Sequence, residues 1–247
     1  MRKEKNSVSV AINLATAVVF AAFVTVATII FAVSIPATSG YFNIGETMIY
    51  VAALLFGPYV GAFAGGIGSA IADMLLAPVY APGTFIVKSL EGAIVGILNR
   101  KMSMHPSHSK WKIFTFSLGI IIGVSLAITG SFYYSGNVEL YVGIPPPENP
   151  TLIGFIPVEF WYALGGVVAF LIVLMGFKVE PQFGSAILSV IVGGLEMVVG
   201  YFLYEQLILN TAALVEVPAN IGQMLIGLIV ALPIVKIVQR QLPQLKR

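Results

Sequence analysis

The sequence predicts an all-α integral membrane protein, on three observations. Of 247 residues, 58% are hydrophobic and only 10% are charged, against about 25% charged in a soluble domain. The apolar residues come in long blocks that leave little polar surface to face water. Nearly all Lys and Arg fall on one side of the membrane once those blocks are counted as spans.

The apolar blocks lie at about 10–35, 46–60, 61–77, 84–99, 113–134, 155–177, 185–208 and 218–237, which gives about eight transmembrane helices. Met1-Arg2-Lys3-Glu4-Lys5 precedes the first block. The apolar run from Val8 to Pro36 is too long for a signal-peptide core and has no obvious small-residue cleavage site, so it reads as a retained helix. The second and third blocks meet at Phe56-Gly57-Pro58, where Gly and Pro favour a turn, and together read as a tight helical hairpin. Taken as two crossings, residues 42–77 give about 18 residues each, or roughly 27 Å against a hydrocarbon core of about 30 Å.

Charge tests this count independently, because cytoplasmic segments retain Lys and Arg. With eight spans and a cytoplasmic N-terminus, the inside segments carry Arg2, Lys3 and Lys5, then Arg100, Lys101, Lys110 and Lys112, then Lys178, then Lys236, Arg240, Lys246 and Arg247. These are 12 of the 13 basic residues. The outside segments, about 36–45, 78–83, 135–154 and 209–217, carry Glu139, Glu148 and Glu216 and no Lys or Arg. Both termini are therefore expected in the cytoplasm.

Several function classes have no support. A net charge of +2 without a basic, aromatic-interleaved cluster points away from nucleic acid. The chain has no Cys, and its two His, His105 and His108, lie in a polar stretch, so disulfides, thiolate chemistry and His–Glu metal patterns have no residues to use. Gly65-Gly66-Ile67-Gly68-Ser69 lacks the Lys-Ser/Thr ending of a phosphate loop and lies inside an apolar span. No enzyme motif and no cofactor is implied.

An ionisable side chain within a span costs about 2.5–3.5 kcal/mol on insertion scales and marks a protein-lined cavity. Here the short list is Glu46, Asp73, Lys88, Glu91 and Glu196. Glu46, Asp73 and Lys88 all fall near the outer face, which favours a pocket open to the exterior. Lys88 and Glu91, three apart, share a helical face, where they form either a structural ion pair or part of a ligand site. Two further carboxylates competing for one lysine favour a polar or cationic ligand. The Pro-stiffened loop Pro78–Thr84 presents Tyr80, placed either to stack on a planar ring or as an interfacial belt residue. Pro218 suits the first turn of the last helix, where Asn220 and Gln223 share a face with two amides for a heterocycle. Glu196, mid-span, alternatively pairs with a neighbouring helix. Small residues four apart, at Ala62, Gly66 and Ala70, at Gly92 and Gly96, and at Ala11 and Ala15 or Ala17 and Ala21, favour close helix packing or a partner helix.

Phe42-Asn43-Ile44-Gly45-Glu46, Ala52–Pro58, Gly65–Ala70 with Asp73, Ala81–Gly92, Gly194–Phe202 and Glu216–Ile221 resemble, in order, the substrate-binding S components of energy-coupling factor (ECF) transporters. The resemblance covers roughly two thirds of the chain. It implies a six-helix bundle in the plasma membrane of a prokaryote. Such a bundle binds a vitamin, precursor or metal ion and passes it to a transmembrane coupling protein with two ATP-binding-cassette ATPases. The closest branch takes planar heterocycles such as hydroxymethylpyrimidine, pyridoxine or riboflavin. The resemblance adds Asn43 to the solute-binding set and assigns the small-residue motif of the first helix, at Ala11 and Ala15 or at Ala17 and Ala21, to partner docking. Residues 102–183 depart from the pattern and read as an inserted helical pair with a Pro-rich outer loop, between core helices in 8–101 and 184–247 of a single membrane domain. An inserted pair preserves the sidedness of everything after it. Two rival readings are an ion-coupled secondary transporter using Glu46, Asp73 or Glu196, and a structural membrane subunit without a solute.

Overall fold

A computed structural model of the chain describes residues 2–35, 38–101, 108–142, 148–150, 152–178, 181–209 and 213–245. His105 and the Pro-rich stretch 143–147 lie outside the described residues. Among these, eight α-helices occur: α1 (Arg2–Ile30), α2 (Glu46–Phe56), α3 (Pro58–Leu76), α4 (Ala81–Lys101), α5 (His108–Tyr133), α6 (Val158–Lys178), α7 (Pro181–Tyr204) and α8 (Val217–Gln241). Seven are long and apolar enough to cross a membrane.

The hairpin expected at Phe56-Gly57-Pro58 is the α2–α3 junction. Gly57 sits at φ +92°, where a Cβ is disfavoured and would also meet the Arg100 side chain. Pro58 then opens α3 with its φ already helical. Arg100 closes the end of α4 onto this turn by donating to the Phe56 carbonyl at 2.9 Å.

The loops that the sequence reading assigns to the outside are more ordered than it expected. Four short strands, β1 (Val33–Ile35), β2 (Gly40–Phe42), β3 (Gly136–Val142) and β4 (Leu152–Ile156), form an antiparallel sheet in the order β2-β1-β3-β4. Strand β1 thus ends α1 at Ile30, before the end of its apolar block, and joins the segment before α2 to the hairpin between α5 and α6. Alternation in Asn137-Val138-Glu139-Leu140 carries the period of two that marks a strand.

Helices α3 and α4 form the tightest contact of the core, and α1 lies against α3. Ala17, Ala21, Val24 and Thr28 recur at helical spacing on the buried face of α1. There the Thr25 hydroxyl donates to the Gly68 carbonyl at 2.7 Å. Helices α5 and α6 pack chiefly on each other, while α5 makes sparser contacts with α7 and α8. Small residues permit each of these close approaches, as lipid supplies no hydrophobic drive between helices.

Helix α2 decides the architecture. Its 11 residues rise about 16 Å, roughly half of a 30 Å hydrocarbon core. Its first residue, Glu46, is level with Lys88 and Glu91, about two turns below the start of α4. Above it the chain descends as β2 and residues 43–45, without helix. The space that a full-length helix would fill is left as a cleft beneath the sheet.

Candidate functional site

The cleft lies at the sheet end of the bundle and encloses about 430 Å³ counted out to its open mouth. Thr28 of α1 and Gly40, Tyr41 and Asn43 of the strand segment line one side. Ser69 and Asp73 of α3, then Tyr80, Thr84 and Lys88 leading into α4, line another. Tyr201 and Glu205 from the end of α7, with Glu216, Asn220 and Gln223 at the start of α8, complete the wall.

Lys88 is the centre of the floor. Its ammonium bonds Glu46 Oε1 and reaches Glu91 Oε2 at 3.2 Å. Glu91 also accepts from the Tyr50 hydroxyl at 2.8 Å. All four side chains are buried. Two carboxylates thus share one lysine. Glu46 and Glu91 sit behind Lys88, outside the lining, and Glu46 Oε2 has no partner among the described residues.

On the α3 side, Tyr41 donates to Asp73, and the Thr84 hydroxyl stands near the same carboxylate. Thr84 in turn lies 2.9 Å from the Tyr201 hydroxyl, so a chain of hydroxyls runs across the cleft. Tyr80 donates to the Thr38 carbonyl at 2.9 Å, which ties the turn before α4 to the turn between β1 and β2. Burial pushes the Tyr41 and Tyr80 phenols above their usual range, with the nearby carboxylates adding to the effect, so both stay protonated donors.

On the α8 side, Gln223 Oε1 accepts from the Asn43 backbone N–H at 2.9 Å, and its amide nitrogen donates to Asn220 Oδ1 at 2.8 Å. Asn43 Oδ1 accepts from the Gly45 N–H at 2.8 Å, which shapes the non-helical descent into α2. Thr38 bonds Glu216 Oε1. Glu205 opens the five-residue π-helical turn Glu205–Leu209. It is only 1% exposed, and its Oε2 has no partner among the described residues.

Of the residues picked from sequence, the structure brings Asn43, Asp73, Tyr80, Lys88, Asn220 and Gln223 onto the lining, with Glu46 and Glu91 one layer behind. Glu196 on α7 is half-buried and off the lining. Among the lining positions that sequence reasoning left aside, Tyr41, Thr84 and Glu205 matter most. Glu205 is an ionisable residue within the seventh apolar block, which the rule that selected Glu196 also covers. The Tyr41 and Thr84 hydroxyls carry no such signal. On α1, Ala17 and Ala21 are buried against the bundle, whereas Ala11 and Ala15 are exposed.

Comparison with known proteins adds two matches. A family model described as the S component of the ECF-type riboflavin transporter matches residues 7–142 and 149–240. This range takes in every lining residue of the cleft and both α5 and α6. A protein of Pyrococcus woesei, described as an uncharacterized protein in a gap 3′ region, is 52% identical over 73 residues, 30% of this chain and 49% of that protein. The chain therefore spans about half the length of this curated relative.

Proposed function

Since the chain belongs to the ECF-type S-component family, we propose that it captures one planar, vitamin-like heterocycle from outside the cell and releases it inward when partner proteins reorient the bundle. Membership makes it a transport subunit rather than an enzyme, taking a vitamin-type solute for an ECF transporter. It also implies association with the transmembrane coupling component and the ATPases. The family and the seven long apolar helices together make it a multi-pass membrane protein.

The observation that carries the reading is the cleft above α2. It stands at the end of the bundle opposite both termini, and the one-sided Lys and Arg support placing that end outside. Phenol rings at Tyr41, Tyr80 and Tyr201 offer faces for stacking, while the Asn43, Asn220 and Gln223 amides and the carboxylates offer hydrogen bonds. Riboflavin, hydroxymethylpyrimidine and pyridoxine all pair a flat heteroaromatic ring with donor groups and fit this chemistry. Assembly is supported at Ala11 and Ala15, because α1 already packs Ala17 and Ala21 against its own bundle.

Calorimetry and thermal shift on the purified chain, against those three compounds, test the reading. One compound binds, and Asp73→Asn and Lys88→Ala each weaken it at least about tenfold, or about 1.4 kcal/mol. A folded protein that binds none of the three, or binds one undiminished in both variants, would sink it.

A further inference from the structure

Helices α5 and α6 contribute no residue to the cleft lining, yet the pair is tied to its mouth. The Tyr134 hydroxyl, one residue past α5, donates to the Val215 carbonyl in the 3-10 turn Ala213–Val215 that leads into α8. The next residue, Glu216, lines the cleft and bonds Thr38 in the turn between β1 and β2. Strand β3 begins at Gly136 and pairs with β1, Val33 opposite Val142 and Ser34 opposite Tyr141. These links form a closed circuit: the end of α5, the turn before α8, the β1–β2 turn, β1, β3 and back to α5. Trp161 of α6 holds Tyr134 from the other side. Its indole N–H donates to the Tyr134 carbonyl at 3.0 Å, the two rings lie 5.9 Å apart, and the indole rests on Gly130, where a Cβ would collide. A tyrosine that only marks the membrane boundary presents its hydroxyl to water and headgroups. Tyr133 is exposed in that way, whereas Tyr134 turns inward to a backbone acceptor. Burial, with Glu216 and Glu205 nearby, holds the Tyr134 phenol above its usual range, so it stays a protonated donor.

We propose that the α5–α6 pair braces the mouth of the cleft, with Tyr134 as the positioning residue, and that this brace sets the rate of solute exchange rather than the affinity. Tyr134 lies off the lining and touches no bound solute. Cutting its link turns a closed circuit into an open one, so the mouth opens more often whether the cleft is full or empty. Entry and exit then speed up together. One net hydrogen bond changes such an equilibrium by about twofold to tenfold. The consequence for exchange rests on the solute-capture reading, while the brace itself is measurable without solute.

The chain has no Cys, so single cysteines report opening. Ser69→Cys stands on the cleft wall, and Ser189→Cys is buried on α7 off the lining. The full chain, purified in detergent, is treated with a small water-soluble thiol reagent. Tyr134→Phe, which keeps the ring and removes the hydroxyl, speeds labelling of Ser69→Cys at least about threefold and leaves Ser189→Cys unchanged. Tyr133→Phe changes neither rate. Stopped-flow mixing with riboflavin, hydroxymethylpyrimidine and pyridoxine gives the exchange arm. For the compound that binds, Tyr134→Phe raises both association and dissociation rates at least about threefold, with Kd within about twofold. Where Tyr134→Phe does not fold, Trp161→Phe, which removes the indole donor, carries the same expectations. Unchanged labelling at Ser69→Cys in a folded variant overturns the brace and leaves solute capture standing. Faster labelling at both reporters marks general loosening and overturns it too, as does a dissociation rate that rises alone. Binding by none of the three compounds overturns solute capture, and labelling at Ser69→Cys still decides the brace.

Discussion

Lys88 holds two carboxylates that have no other cation among the described residues, and this makes it more consequential than a single ion pair. Removing one member of a buried ion group leaves an uncompensated charge, at about 3–5 kcal/mol, whereas replacing the whole group by neutral residues is often tolerated. Lys88→Ala is therefore expected to lower the thermal unfolding midpoint in detergent sharply. The triple variant Lys88→Met, Glu46→Gln, Glu91→Gln recovers most of the loss. A triple variant less stable than Lys88→Ala would show that the charges themselves hold the bundle together. The identity of this group was legible in the sequence, because charge in an apolar span stands out. Its partition was not: spacing links Lys88 to Glu91, but only the fold brings Glu46, 42 residues away, onto the same ammonium.

Helices α3 and α4 depend on the absence of side chains where they cross. A Cβ at Gly92 would meet the Gly61 backbone, and one at Gly61 would meet Ala53 and the Gly92 carbonyl. Gly92→Leu inserts volume into a fully packed contact and is expected to cost at least about 1–3 kcal/mol. Thermal unfolding reads this directly. Gly166, which has open space around it, is the control position, and equal loss in Gly166→Leu would refute the packing account. Small-residue spacing in the sequence announced such contacts on α1, α3 and α4. What it left undecided was which register each helix uses. On α1 both alanine pairs have the same spacing, yet Ala17 and Ala21 face α3 and α2 while Ala11 and Ala15 face outward. The strands were the opposite case. Their alternation is present in the sequence, but each is three to seven residues long and stable only through partners distant in the chain.

At the scale of the whole molecule, the proposed sidedness rests on the charge distribution and the proposed assembly on the exposed face of α1. The chain has no Cys, so single cysteines report topology without background. Glu148→Cys, exposed near the end of the bundle that carries the sheet, reacts with a membrane-impermeant thiol reagent on intact cells, and Lys101→Cys does not. The reverse pattern would invert the proposed orientation. For assembly, Ala15→Trp is expected to abolish co-purification with the coupling protein while leaving solute affinity within about twofold. Ala21→Trp destabilises the chain itself, since Ala21 is buried. Retained co-purification in a folded Ala15→Trp protein would place the partner elsewhere.

The sequence by itself determined that the protein lives in a membrane as a bundle of apolar helices, and it marked the ionisable residues Glu46, Asp73, Lys88 and Glu91 as exceptional. Each of these is a local property, set by the cost of placing a given side chain in hydrocarbon. The family resemblance added what kind of solute to expect. Only the tertiary structure decided that α2 is short, that the missing length becomes a cleft, and that Tyr41, Thr84, Glu205 and Glu216 meet Asp73 and Lys88 around it. Those positions lie on five separate segments, and hydroxyls within apolar helices carry no penalty large enough to mark them. Their role comes from which helix faces pack against which, and a one-dimensional pattern of hydrophobicity does not encode that pairing.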